Sequence, residues 1–189
     1  MWNRKLCQRL LVALALVVGS ASVASAQPSG GYLANFKFGP AIGVNDAPGQ
    51  LALGLEFGTL ISAGSRSRVY LILPLEFGVG GGRSRIQLEP AVEVDVHLPV
   101  GVPLYLAPRA GLGLGIMTGG DCGRGVRGPG CDADFAFAFN LGVGVKYVLN
   151  NLVNFSFEPL RLDFWPVGSA QSGIAPVWYS MLFGVGINF

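Results

Sequence analysis

The chain has 189 residues, of which 51% are hydrophobic and 13% are charged, and its formal net charge is +2 at pH 7. The charged fraction is about half of the roughly 25% that soluble domains carry, so the composition argues against an ordinary soluble domain. A helical membrane protein is excluded as well. Beyond the N-terminal segment, no apolar run approaches the ~18 residues that a membrane-spanning helix needs.

The N-terminal segment has the three parts of a secretory signal peptide. Basic residues precede an apolar run at 10–18, and the small residues 24–26 form an A-x-A cleavage site before Gln27. The apolar run is too short for a membrane anchor. We therefore expect residues 1–26 to be removed and residues 27–189 to form one domain. Removal takes away basic residues and leaves a slightly acidic chain, so the charge indicates no nucleic-acid partner.

Eight segments alternate apolar with polar or small side chains at every second position, which is the pattern of a half-buried β-strand. In chain order they span residues 32–44, 50–61, 68–79, 85–98, 104–116, 135–147, 153–164 and 179–189. The parity of the apolar positions changes at Glu158–Pro159. This predicts a β-bulge in the seventh strand, because a one-residue slip reverses the faces of a strand. Short connections join most segments, so the sequence predicts an antiparallel meander.

The two faces of these strands differ in size as well as in polarity. One face carries mostly Leu, Val, Ile and Phe, whereas the other carries Gly, Ala and single charged residues. A soluble barrel would enclose the bulky apolar face, and a transmembrane barrel would turn it toward lipid. Only the small face suits the narrow interior of an eight-stranded barrel. The sequence therefore predicts an all-β fold, an eight-stranded antiparallel up-and-down transmembrane β-barrel.

Loop lengths predict the orientation of this barrel. With an even number of strands, both termini lie on one side of the membrane. The connections on that side, at about 63–67, 99–103 and 150–151, are short, and the two longest connections, 118–132 and 165–176, lie on the other side. Short periplasmic turns and longer surface loops are typical of outer-membrane barrels. We therefore expect the termini in the periplasm.

The closing segment, MLFGVGINF, places apolar residues at alternate positions counted back from the terminal aromatic residue, namely Phe189, Ile187, Val185 and Phe183. In strand number, alternation, loop asymmetry and terminal Phe, the chain resembles the small eight-stranded outer-membrane barrels of the OmpA/OmpX type. The resemblance implies the outer membrane of a Gram-negative cell, with the lipid bilayer and lipopolysaccharide as partners. The four closing residues also resemble the signal that the outer-membrane assembly machinery reads.

Charged residues on the small face form a predicted ion network inside the barrel. Its members are Lys37, Glu56, Glu76, Glu89, Glu93, Asp95, Arg109, Lys146 and Glu158, with Arg85 as a further basic partner. Register places Lys37 diagonal to Glu56 and Arg109 close to Glu93. We expect an ion-paired plug rather than a proton path, because unpaired buried charges are costly and the interior is narrow.

The acids of this network outnumber the nearby bases. Glu56, Glu76, Glu89 and Glu158 are expected to crowd together at mid-height. Because like charges in one site disfavour ionisation, we expect one of these carboxyls to stay protonated at neutral pH.

The connection at 118–132 carries two cysteines and several charges. Because an exported protein meets an oxidising compartment, we expect a disulfide between Cys122 and Cys131. Arg124 and Arg127, with Asp121 beside them, make the tip of this loop polar. Two interpretations stay open: contact with lipopolysaccharide phosphates, or a receptor or adhesion tip.

The sequence gives little support for catalysis. His97 is the single histidine, and Ser156 and Ser180 lie on other strands without supporting context. The sequence indicates no metal site, and we expect no cofactor. We therefore expect a non-enzymatic barrel that acts in envelope structure or in surface binding through its loops. The alternatives are a narrow pore for small solutes and, third, a lipid A-modifying enzyme.

Overall fold

A computed structural model of the chain describes residues 31–44, 47–119, 134–149, 152–167 and 177–189. The described residues form nine strand segments: β1 Tyr32–Val44, β2 Gln50–Ala63, β3 Ser67–Gly80, β4 Arg83–Leu88, β5 Ala91–His97, β6 Leu104–Gly119, β7 Asp134–Leu149, β8 Val153–Val167 and β9 Val177–Asn188. Among them, no helix is long and apolar enough to cross a membrane. The predicted signal peptide lies outside the described residues.

The sheet closes on itself. All strands belong to one antiparallel sheet, in which β4 and β5 together fill one position between β3 and β6. The first strand, β1, pairs with β9 as well as with β2. At the seam, the N–H of Tyr32 donates to the carbonyl of Phe189 over 2.8 Å, and the N–H of Phe189 donates to the carbonyl of Tyr32 over 2.9 Å. A closed sheet has no unpaired edge. The predicted eight-stranded antiparallel barrel is confirmed.

The fourth barrel strand is interrupted, which the alternation did not predict. It consists of β4 and β5, separated by Glu89 and Pro90. Both segments pair with β3 and β6, and the register runs through the gap without a slip. Pro90 has no N–H to donate to the ladder, but its carbonyl accepts from the N–H of Leu112 over 3.0 Å. Pro40 and Pro108 also lack an N–H, yet they lie within the continuous strands β1 and β6, so a proline in the pattern does not by itself predict a break.

The predicted bulge lies in β8. The pairing of β8 with β9 shifts between Glu158 and Arg161, so one extra residue enters β8 at this point. Glu158 faces the interior before the shift, and the shift turns Arg161 and Asp163 to the same side, where all three are buried. The parity change at Glu158–Pro159 is therefore the sequence signal of this bulge.

The hairpin between β3 and β4 has the tightest turn of the described barrel residues. Gly80 pairs with Arg83, so Gly81 and Gly82 form a two-residue loop. Their φ angles are 59° and 73°. A two-residue turn with positive φ at both positions matches the twist of a hairpin, and glycine adopts it without steric cost.

The outer surface of the barrel is an apolar belt. Large hydrophobic side chains alternate outward along the strands, for example Phe57, Leu112, Phe137 and Leu141, each at least half exposed. Among the residues whose side chains are described, the charged groups that are not buried, Arg66, Arg68 and Arg83, lie at strand ends or in turns. An apolar belt with inward charges is the pattern of a barrel surrounded by lipid.

We name the two ends of the barrel for what they carry. The terminal end holds Tyr32, Phe189 and the connections at 64–66, 98–103 and 150–152. The loop end is opposite, and from it β6 leads to β7 and β8 leads to β9. These two connections span residues 120–133 and 168–176 and are the longest of the barrel, as the sequence predicts.

Candidate functional site: the interior of the barrel

The interior contains an unusual density of charge for a small domain. Seven carboxylates and five basic side chains are buried there, each no more than 5% exposed. They are Glu56, Glu76, Glu89, Glu93, Asp95, Glu158 and Asp163, with Lys37, Arg85, Arg109, Lys146 and Arg161. Buried charges are tolerated when they are paired and hydrogen-bonded. Each of the five basic groups lies within ion-pair distance of at least one carboxylate.

The first ion cluster, which we call the balanced cluster, joins Lys37, Glu56, Arg109 and Glu158. The Lys37 ammonium lies 3.0 Å from Glu56 and 3.1 Å from Glu158. Arg109 contacts Glu56 directly and lies 3.6 Å from Glu158. Two cations thus share two carboxylates, and each carboxylate touches both cations.

The second cluster, which we call the five-residue cluster, joins Glu76, Arg85, Glu89, Arg161 and Asp163. Arg161 lies at its centre, 2.8 Å from Glu76, 3.1 Å from Glu89 and 3.0 Å from Asp163. Arg85 lies 2.6 Å from Glu76 and 3.9 Å from Asp163. Here two cations face three carboxylates.

Two amides supply further donors to the five-residue cluster. The side chain of Asn140 donates to Glu89 over 2.7 Å. Gln87 donates to Glu89 over 3.2 Å and to Asp163 over 3.3 Å. Neutral donors offset part of the excess negative charge, because a hydrogen bond to an ionised carboxylate is stronger than one between neutral groups.

A third group lies nearer the terminal end. Lys146 contacts Glu93 directly and lies 3.2 Å from Asp95. Its ammonium also lies 5.6 Å from the centre of the Tyr70 ring. Tyr70 belongs to a small apolar layer in the terminal-end half of the interior. The layer is formed by Leu33, Leu60, Tyr70, Ile72 and Ala91.

Two tryptophans pack in the interior toward the loop end, in an apolar cluster with Met117. Trp165 and Trp178 are both fully buried, with ring centres 5.3 Å apart and planes at 61°. The guanidinium of Arg85 lies 4.5 Å above the Trp178 ring, a cation–π distance that ties this layer to the five-residue cluster. The Trp178 N–H donates to the carbonyl of Pro48 over 3.1 Å.

Glycines on neighbouring strands make room for these side chains. A Cβ on Gly115 would lie 2.2 Å from the Trp165 ring, and a Cβ on Gly142 would lie 2.2 Å from the carboxylate of Glu158. The small inward face of the sequence therefore accommodates a few large side chains rather than an empty channel. In the described part of the chain, the interior is filled by an apolar layer, the ion clusters and the tryptophan pair.

The structure places all nine predicted network residues in the interior but changes some of their partners. Lys37 lies opposite Gly54 and Asn35 lies opposite Glu56, so Lys37 is diagonal to Glu56 as expected. Arg109 lies opposite Glu93 in the register, yet its guanidinium contacts Glu56 and Glu158 across the interior, and Glu93 pairs with Lys146.

The four glutamates that were expected to crowd together separate into two clusters. Glu56 and Glu158 belong to the balanced cluster, and Glu76 and Glu89 belong to the five-residue cluster. The network prediction omitted Arg161 and Asp163, which hold the five-residue cluster together. The parity change at Glu158–Pro159 could have predicted their position, because the new parity after Pro159 turns both residues inward.

The four residues of the closing segment lie on the outer face of β9 or directly after its end. Phe183, Val185, Ile187 and Phe189 are all between 44% and 56% exposed, and the Phe189 ring stacks on Tyr32 at 5.9 Å. The loop residues Asp121, Cys122, Arg124, Arg127 and Cys131 lie outside the described residues, so the disulfide and the charged tip stay predictions.

No hydrogen bond among the described residues joins His97 to Ser156 or Ser180. Ser180 donates to Asp163 over 3.4 Å within the interior. His97 lies at the terminal end, where its ring meets Tyr105 edge-on at 5.2 Å. Among the described residues, no group of three histidine, cysteine or acidic side chains is arranged to hold a metal ion.

A closed barrel with an apolar outside and an ion-paired inside has the architecture of a transmembrane β-barrel. No family model matches the sequence, and no curated protein matches it. The fold does match solved structures. Neisserial surface protein A has a TM-score of 0.60 at 10% identity, over 86% of this chain and 100% of that one.

Two further solved structures share the fold. The N-terminal β-barrel domain of Pseudomonas aeruginosa OprF has a TM-score of 0.54 at 16% identity, over 86% of this chain and 100% of that domain. The outer-membrane enzyme PagL has a TM-score of 0.52 at 17% identity, over 80% of this chain and 97% of that one. The chain therefore has the fold of the small eight-stranded outer-membrane barrels.

Proposed function

We propose that this chain is a non-enzymatic outer-membrane barrel with a plugged interior, which acts in the envelope through its surface loops. The observation that carries the proposal is the filled interior. Two ion clusters occupy the middle, and the Trp165–Trp178 pair packs toward the loop end. One fold hosts many activities, so the proposal depends on the interior of this chain and not on what its structural neighbours do.

The partner we propose for the loops is lipopolysaccharide. The connection at 120–133 contains Arg124 and Arg127, and guanidinium groups bind phosphate through paired hydrogen bonds. The test compares the Arg124→Gln/Arg127→Gln variant with the wild-type protein for binding of purified lipopolysaccharide. We expect weaker binding by the variant, and equal binding would contradict the role of this loop. Arg83→Gln, which removes an exposed charge in a short turn at the same end, is the matched control.

A second candidate, a narrow pore, is favoured by one observation. Several buried polar atoms lack a protein partner among the described residues, including Nε and Nη1 of Arg85 and Nε and Nη2 of Arg109. Such atoms are commonly satisfied by buried water. A hydrated interior is a step toward conduction, although it is not an open path.

Conductance in planar bilayers separates the two candidates. If the interior is plugged, the wild-type barrel gives no resolved current steps, and the Trp165→Ala/Trp178→Ala variant, which removes the two rings toward the loop end, is the positive comparison. Reproducible steps from the wild type would support the pore and overturn the plug. For the enzyme alternative, His97→Ala should leave the lipid A of the expressing cells unchanged relative to the wild type.

A further inference from the structure

A small cavity opens at the terminal end, away from the ion clusters. Its volume is about 260 Å³, below the range of most drug-sized ligand pockets and suited to one small polar group. The turn between β2 and β3 forms one wall, and the facing ends of β5 and β6 form the other. The cavity is lined by Gly64, Ser65, Arg66, Ser67, Arg68, His97 and Tyr105.

The charges of this terminal cavity differ from those of the interior. Every buried basic side chain of the interior has a carboxylate partner, whereas no ion pair among the described residues includes Arg66 or Arg68. No acidic side chain lines the cavity. Asp95, which lies opposite Arg68 in the register, has its carboxylate 3.2 Å from Lys146 instead. Two guanidinium groups therefore line this space with no described carboxylate within ion-pair distance, and Arg68 keeps a hydrogen bond with Tyr70 and a longer-range attraction to Asp95.

The walls of the terminal cavity are held in place by the fold. The N–H of Gly64 donates to the carbonyl of Ser67 over 2.7 Å, and the N–H of His97 donates to the carbonyl of Arg66 over 2.8 Å. The Arg68 guanidinium lies 5.7 Å from the centre of the Tyr105 ring, which also meets His97 edge-on. These contacts fix the turn against β5 and hold the Arg68 guanidinium beside Tyr105 before any ligand arrives.

The position of the terminal cavity indicates where its ligand comes from. The outward side chains next to it, Val96 and Leu106, still belong to the exposed apolar belt, and Arg66 itself is exposed. Arginine and tyrosine just beyond an apolar belt lie at the level of the lipid headgroups. Phosphate is the anion of that layer, and arginine binds it with two parallel hydrogen bonds.

We propose that the terminal cavity binds a phosphate group, and that the phosphate of an anionic phospholipid headgroup is its ligand. Arg66 and Arg68 supply the charge, and the hydroxyl groups of Ser65 and Ser67 are further donors within the same walls. An anionic headgroup is preferred over a zwitterionic one, because a headgroup ammonium would meet two arginines. The inference is independent of whether the interior conducts.

Native mass spectrometry of the detergent-purified barrel tests this site. Phosphatidylglycerol is titrated against the wild type, Arg66→Gln/Arg68→Gln and, as a matched control, Arg83→Gln at the opposite end. Each charged hydrogen bond is typically equivalent to about a tenfold change in affinity, so we expect at least tenfold weaker binding by the double variant. The control should remain within twofold of the wild type. Phosphatidylethanolamine should bind the wild type more weakly than phosphatidylglycerol.

Competition with glycerol 3-phosphate identifies the source of the phosphate. If glycerol 3-phosphate displaces phosphatidylglycerol only weakly, the result supports a lipid headgroup as the ligand. Competition at equal concentration, again lost in the double variant, supports the phosphate site and assigns it to a soluble ester. Equal affinity of wild type and double variant for phosphatidylglycerol would overturn the proposal. Folding of each variant is checked by heat-modifiable migration on a gel, and Arg66→Gln alone replaces the double variant if that protein does not fold.

Discussion

The two ion clusters in the middle of the barrel distribute their contacts differently. In the balanced cluster, each carboxylate touches both Lys37 and Arg109, so either cation can be lost without leaving a carboxylate alone. In the five-residue cluster, Glu89 has Arg161 as its ion-pair partner, and Arg161 also holds Glu76 and Asp163. Clusters of similar size can therefore differ in how strongly their stability depends on one residue.

Removing Arg161 should have the largest effect on stability. Arg161→Met leaves three buried carboxylates with Arg85, which touches two of them. Breaking a buried ion pair in this way costs about 3–5 kcal/mol. Urea-dependent unfolding from lipid vesicles at pH 7 measures the loss. Arg83→Met, at an exposed position, should change the free energy of unfolding by less than about 0.5 kcal/mol, and a similarly small loss for Arg161→Met would contradict the central role of this residue.

Removing one cation from the balanced cluster should cost less. In Lys37→Met, both carboxylates keep Arg109, so we expect a loss of about 1–3 kcal/mol in the same unfolding measurement. The Lys37→Met/Glu158→Gln double variant restores the charge balance and should recover part of that loss. A cycle of the two single variants and the double variant gives the coupling energy. Additive losses would show that the two side chains do not interact.

The tryptophan cover of the five-residue cluster is sensitive to a single methyl group. In Gly115→Ala, the new Cβ would lie 2.2 Å from the Trp165 ring, and overpacking of this kind costs about 1–3 kcal/mol. Gly54→Ala is the matched control in the balanced cluster, because its Cβ would lie 3.7 Å from the Cβ of Lys37, an ordinary contact. Equal free energies of unfolding for the two variants would contradict this prediction. They would show that the Trp165 ring can move aside to make room for the new methyl group.

The charge excess of the five-residue cluster should be visible by infrared spectroscopy. With three carboxylates and two arginines in a space without bulk water, we expect one carboxyl to carry a proton at pH 7. Glu89→Gln equalises the charges of this cluster and should weaken the protonated carboxyl band, whereas Glu158→Gln in the balanced cluster should leave it unchanged. Any band that remains in Glu89→Gln is assigned to Glu93 and Asp95, which share Lys146. A wild-type spectrum in which every carboxyl is ionised at pH 7 would refute this expectation.

The sequence predicts what depends on local alternation. The eight strands, their outward faces and the bulge at Glu158 follow from a period of two and one change of parity. The actual partners of Arg109 do not, because Glu56 and Glu158 lie on strands that are not its neighbours. Such contacts depend on how the closed sheet brings opposite walls together, and long side chains then choose among several carboxylates. Register between adjacent strands gives only the nearest candidate, Glu93.

Two omissions have different causes. Arg161 and Asp163 could have been placed in the interior from the parity after Pro159, so their signal was present in the sequence. The break between β4 and β5 falls at Glu89 and Pro90, but the alternation of the side chains continues across it, and other strands run unbroken through a proline. Side-chain patterning alone therefore does not show where a strand is interrupted.

The central claim is that this barrel is apolar outside, ion-paired inside and closed. Methyl NMR of the wild-type protein in lipid nanodiscs tests it directly, with a lipid-bound nitroxide and aqueous Mn²⁺ as two paramagnetic probes. The account predicts that the nitroxide broadens the outward Leu141 methyl signals more strongly than those of the buried Ala107 and Ala138, and that Mn²⁺ broadens none of the three. Broadening of Ala107 and Ala138 by Mn²⁺ would indicate an open interior, and broadening of Leu141 by Mn²⁺ would indicate that the apolar face is not in lipid.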